Sequence, residues 1–146
     1  MRCPPDHLPE PRAAQRAAQR AARSRKGLNA RKQGHQGEWL AALYLMAKGY
    51  QILGFRLKTP QAEIDLLARK GSILAVVEVK RRQSPELALM ALSSDQQERL
   101  LNAGNRIVRT RPSLQKLEPR LDLIALSPGR LPRHLKGLTT TQGTAF

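Results

Sequence analysis

The chain is short of cysteine, of long apolar runs and of acidic residues, and each shortage narrows what it can be. Its single cysteine, Cys3, cannot form a disulfide within the chain, which fits a reducing cytoplasm. No apolar run approaches the roughly 20 residues of a membrane-spanning helix. The basic start also lacks the apolar segment of a secretory signal, and although rich in arginine and alanine like an organelle transit peptide, it carries Asp6, Glu10 and four prolines in its first eleven residues. The expectation is a cytoplasmic protein. Only 11 acids stand against 26 lysines and arginines, a net charge of +15 over 146 residues. Such an excess favours polyanions through steering and counterion release, so nucleic acid is the expected partner.

The length suits one domain with a real core, flanked by tails. Residues 1–33 hold nine basic and two acidic residues and no aromatic one, so nothing there can bury a core and the segment reads as a disordered basic arm. Arg12, Arg16 and Arg20 recur every four residues within it. On a helix they would stack along one side, an arrangement that suits phosphates, whereas in free solution the same repeat reads as a solvated tail.

The ordered domain is expected over 34–126. Leu40, Leu43, Tyr44 and Ala47 recur at helical spacing, three strands follow over 50–57, 62–68 and 72–81, and Ser93 caps a second helix with Gln96 and Gln97 placed for a capping box. A last strand is expected over 120–126 and an irregular tail over 127–146. The order αβββαβ implies a single α/β domain, a mixed β-sheet flanked by helices.

Within it, the run from Glu63 to Lys80 places three carboxylates and one lysine among strand residues. Residues two apart on a strand share a face, so Glu63 goes with Asp65 and Glu78 with Lys80. A two-residue turn at Lys70 and Gly71 would pair Glu63 with Glu78 and Asp65 with Val76, gathering the charges on one side. An odd turn would separate them.

Hydrolysis of a phosphodiester needs a cation, an activated water and charge stabilisation. Asp65 and Glu78 are the natural ligands for Mg2+ or Mn2+, the Val79 carbonyl can complete the protein's share, and Lys80 can orient the water or neutralise the phosphate. Glu63 is a supporting or alternative ligand, and Glu38 reaches the site from the first helix. The competing interpretation is a solvated sheet face with cross-strand ion pairs, and for Glu38 a favourable place in the first turn of a helix. His7, His35 and His134 show no zinc spacing.

These residues carry a resemblance. Gly34-x-x-Gly37-Glu38, Gly49-Tyr50-x-Ile52-Leu53, Glu63-Ile64-Asp65-Leu66, Val77-Glu78-Val79-Lys80-x-Arg82 and Arg120-x-Asp122 together resemble the YraN family of uncharacterised bacterial proteins. That family is similar to the PD-(D/E)xK nucleases, in particular to archaeal Holliday junction resolvases. The resemblance implies a restriction-endonuclease-like fold, with Asp65, Glu78 and Lys80 on the core motif and Glu38 as the additional acid. It departs at Ala62, where the family has glycine, and near Gln96, where it often has lysine. It implies a metal-dependent endonuclease acting on DNA, at branched or processed structures, with Arg81, Arg82 or the arginines of the arm on the backbone. A resolvase-like task favours a symmetric homodimer. The alternative is a non-catalytic nucleic-acid-binding module, or a partner protein in DNA repair or uptake, that retains the fold.

Overall fold

The computed structural model describes residues 11–139, with the backbone alone for 11–13 and 28–34. Cys3, His7 and the side chain of Arg12 lie outside the described residues. The chain divides into two compact units at His35 and Gln36. Helix α1 (Pro11–Ala47) contributes to both. In the first unit residues 14–27, Arg16 and Arg20 included, are exposed, as expected of alanine and arginine with no apolar stripe. The backbone of 11–33, assigned from sequence to a disordered arm, is helical, in line with the high helix propensity of alanine and arginine.

The second unit is an α/β domain: β1 (Gln51–Lys58), β2 (Glu63–Lys70), β3 (Ile73–Arg81), α2 (Pro85–Met90), α3 (Ser94–Thr110), a 3-10 turn (Pro112–Leu114), β4 (Glu118–Leu126) and β5 (Arg133–Leu135). The strands form one mixed sheet in the order β1-β2-β3-β4-β5. β3 and β4 are parallel and the other pairs antiparallel. A parallel pair requires a long crossover, and α2, α3 and the 3-10 turn provide it. Among the described residues no helix is long and apolar enough to cross a membrane.

Both faces of the sheet are covered, which explains why the middle of β3 is a nearly continuous apolar run. On one face Leu67, Leu74, Val76 and Leu121 pack with Leu100, Ala103 and Ile107 of α3. Gly104 allows this approach, since a Cβ there would fall 2.6 Å from Val76 Cγ2. On the other face Leu66, Ala68, Ala75 and Val77 pack with Ala41, Ala42 and Leu45 of α1. This corrects the helical face read from the sequence. Leu40 and Leu43 are exposed, at 46% and 57%, because Ala41, Ala42 and Leu45, not these two leucines, lie against β2 and β3.

Two further elements depart from expectation. The connection after β3 contains α2, started by Ser84, whose Oγ accepts from the Leu87 amide at 3.3 Å, and by Pro85 at the first turn. The stretch read as an irregular tail contains β5, which pairs Leu123 with Leu135 and Ala125 with Arg133.

Candidate active site

The site is built at one end of the β2–β3 ladder. The turn has two residues, as expected, but they are Gly71 and Ser72, because the last pair is Lys70 with Ile73. Gly71 supplies the left-handed backbone, at φ +58°. Register is thereby corrected by two positions: Leu67, not Asp65, lies opposite Val76. A shift of two keeps every side chain on its expected face. Continued past the last regular pair, Leu66 with Val77, it brings Asp65, and not Glu63, level with Glu78.

Here the ladder gives way to side-chain chemistry. The Val79 amide donates to Asp65 Oδ2 at 2.9 Å. The N–H and C=O of a residue in an extended strand leave on the same side, so the Val79 carbonyl also faces Asp65. Lys80 Nζ lies 3.2 Å from Glu78 Oε1. The same oxygen accepts from Gln96 Nε2 at 3.2 Å. Asp65, Glu78, Val79 and Lys80 are thus brought together.

Glu78 is buried, at 5% exposure, and Asp65 is half-buried. Burial first, and then the Asp65 charge, push the Glu78 carboxyl up to about 7, against the pull of Lys80. Burial also raises Asp65, while hydrogen bonds from the Val79 amide and with Glu78 pull it down. The two carboxyls therefore titrate as a coupled pair that holds a proton more readily than two free carboxylates would.

Glu38 enters from α1 and is 9% exposed. Its Oε2 lies 3.3 Å from Arg56 Nε, yet it is buried without a hydrogen bond of good geometry. Burial raises its pKa, Arg56 lowers it, and the charges of Asp65 and Glu63 raise it again. Glu38 therefore feels the charges of Asp65 and Glu63 while being held by Arg56. Arg56 itself has φ +46°, the one positive-φ non-glycine residue among those described, and such backbone strain costs about 1–3 kcal/mol. Arg56 was not legible as a site residue. Glu63 is exposed at the start of β2, opposite Lys58. Arg81 and Arg82 are exposed at the end of β3, whereas Arg16 and Arg20 belong to the first unit.

The capping box forms only in half. Ser93 Oγ accepts from the Gln96 amide at 3.2 Å, but the Gln96 side chain is diverted to Glu78. Beside it opens a cleft of about 460 Å3, lined by Gln61, Glu63, Ser93, Gln96 and Arg99. Gln61 Oε1, buried and without a partner, is one of its unsatisfied groups. Among the described residues no three His, Cys, Asp or Glu side chains group as metal ligands. A cation here would rest on Asp65, Glu78 and the Val79 carbonyl, the remainder being water or phosphate. Such a sparse oxygen set suits Mg2+ or Mn2+.

Residues 37–126 match the model of uncharacterised protein family UPF0102. A UPF0102 protein of Caulobacter sp. (strain K31) is 56% identical over 125 residues, covering 86% of this chain and 88% of the relative. One from Caulobacter vibrioides (strain NA1000 / CB15N) is 57% identical over 113 residues, 77% of this chain and 90% of its own. A third, from Chelativorans sp. (strain BNC1), is 44% identical over 107 residues, 73% and 86% of the two chains. The matched stretch contains Glu38, Asp65, Glu78, Val79 and Lys80, and the chain belongs to the UPF0102 family, the YraN family that its motifs resemble.

Proposed function

We propose that the chain is a metal-dependent endonuclease that hydrolyses phosphodiester bonds in DNA, at branched or processed structures, in the cytoplasm. The observation that supports this most is the Asp65–Glu78 pair: two adjacent carboxyls share one lysine, and one of them holds a proton up to about pH 7. A structural ion pair would match charge with charge, whereas this arrangement lacks positive charge. Mg2+ or Mn2+, when bound, supplies that charge, polarises the phosphate and makes a water acidic.

The chain's own residues then divide the work. Asp65 is oriented by the Val79 amide and Glu78 by Gln96, so both carboxylates are held before a ligand arrives. Lys80, 18% exposed in its side chain, is placed to hold the attacking water or to neutralise the charge growing on the phosphate. The exposed Arg81 and Arg82 contact the backbone without reading bases. The domain 34–126 carries the chemistry, and the basic arm 1–33 adds sequence-independent grip. A symmetric dimer would place two sites on two strands.

The test is cleavage of branched, single-stranded and duplex DNA in Mg2+ or Mn2+, with protein purified in parallel from each variant. Asp65→Asn and Glu78→Gln should each reduce cleavage by about a hundredfold or more. Cleavage unchanged in both variants overturns the reading. DNA binding that is equal with chelator and with metal, with no cleavage of any substrate, favours a non-catalytic binding module.

A further inference from the structure

A second charged cluster surrounds Asp122, and its chemistry ends on a lysine. Asp122 is fully buried with both oxygens saturated. Arg120 Nε and the Gly137 amide donate to Oδ1 at 2.8 and 3.1 Å, and Arg120 Nη2 and His134 Nε2 donate to Oδ2 at 2.8 Å each. The His134 side chain is 1% exposed, and its other nitrogen, Nδ1, lies 2.7 Å from Lys48 Nζ. An ammonium can only donate, so Nδ1 is the acceptor and the ring hydrogen sits on Nε2, held there by Asp122. Lys48, His134 and Asp122 thus stand in the order of nucleophile, base and orienting carboxylate.

A clamp between β4 and β5 would not need this arrangement. Arg120, Gly137 and His134 already satisfy Asp122, and a lysine placed on a histidine lone pair gains no ion pair. Lys48 is half-buried just beyond α1, within reach of solvent. The groups that face it are His134, Lys136, Lys70, Asp122, Arg120 and the Tyr44 ring, 5.3 Å from Nζ. Lys70 Nζ also donates to the Lys48 carbonyl at 2.8 Å. Burial, and then the charges of Lys136 and Lys70, lower the Lys48 pKa, with Asp122 opposing them. The same cations attract anions.

We propose that Lys48 is a nucleophilic amine that condenses with anionic aldehydes, with His134 as its base and Lys70 and Lys136 drawing in the anion. This site is independent of the carboxylates on β2 and β3. After the ammonium has lost a proton to solvent, the neutral nitrogen attacks the carbonyl carbon and the C–N bond forms. One N–H proton passes to His134 Nδ1 and from there to the carbonyl oxygen, giving a hydroxyl. That hydroxyl leaves with the remaining N–H proton as one water, and the nitrogen lone pair closes the C=N bond.

The experiment uses pyridoxal 5′-phosphate as the anionic aldehyde on the full chain, with borohydride trapping and peptide mapping between pH 6 and 9. Lys48 should be labelled at pH 7 at least about tenfold faster than the exposed Lys58 and Lys116, a modest share of what a positioned base contributes. His134→Gln keeps an acceptor and a donor but takes up no proton. It should lose that advantage across the whole pH range while remaining folded, because burial, Lys136 and Lys70, which lower the Lys48 pKa, are still in place. If His134→Gln does not fold, Lys136→Gln at an exposed position serves instead and should slow labelling and shift its profile to higher pH. Labelling of Lys48 no faster than Lys58, or a rate unmoved by the variant that folds, overturns the proposal.

Discussion

Asp122 on β4 and the Asp65–Glu78 pair on β2 and β3 are carboxylates withdrawn from water in one sheet, and their surroundings answer that burial in opposite ways. Burial alone would raise the Asp122 pKa, but hydrogen bonds from His134, Arg120 and Gly137 outweigh it and hold the carboxyl below its usual range. The Asp65–Glu78 pair has one lysine, one amide and one glutamine for two carboxyls, and Glu78 is pushed up to about 7, by burial and then by Asp65. A saturated carboxylate is a fixed part of the fold. An undersaturated pair is costly without a cation, and that cost is the ground on which a cation site is proposed there.

The contrast is broken or sharpened most strongly by removing each acid. Asp122→Ala leaves Arg120 and His134 around a buried void in the charge network and should cost about 3–5 kcal/mol in urea unfolding at pH 7. Asp65→Ala should be close to neutral, since it relieves the desolvation of a buried carboxyl while losing the hydrogen bonds from the Val79 amide and with Glu78. Equal losses would remove the distinction between the two clusters.

Next in size is a pH effect. The folded Glu78 pKa is raised, from 4.5 to about 7, so the stability linked to its proton is complete below pH 4.5 and is lost as pH rises through 7. Glu78→Gln removes that dependence and should stabilise the metal-free protein by roughly 2–3 kcal/mol at pH 8, relative to its effect at pH 4. Thermal unfolding across this range checks it. The same proton must leave when a cation binds, so Mn2+ affinity should rise by about tenfold between pH 6 and 8 and level off above. The smallest expected effect is at Gln96: Gln96→Ala removes one hydrogen bond to Glu78 and should change stability by about 1 kcal/mol. Gln96→Lys places a cation near Glu78 and should shift the pH dependence of stability to lower pH.

Much of the candidate site was legible because strand periodicity is insensitive to the error made. The turn was placed one residue early, yet the resulting two-position shift kept Asp65, Glu78 and Lys80 on the same face. Helix α1 fared worse, since apolar spacing singles out Leu40 and Leu43, whereas close packing against Ala68 and Ala75 selects Ala41 and Ala42. The diversion of Gln96 from its cap to Glu78 requires knowing that α3 starts beside β3. Of the Asp122 network, the sequence singled out the Arg120-x-Asp122 motif alone, without its partners. The network joins Arg120 to the Tyr50 hydroxyl and Lys48 to His134 across 70 and 86 residues, and it depends on a three-residue strand too short to announce itself.

The most direct measurement is Mn2+ binding to the full chain at pH 7.5, counted per chain by calorimetry and by loss of the free-ion electron paramagnetic resonance signal. The wild-type protein should bind one Mn2+, and Asp65→Asn and Glu78→Gln should each abolish it while both variants remain folded. Mn2+ binding that survives in both variants, or is absent from the wild-type protein, would contradict a cation site at the Asp65–Glu78 pair.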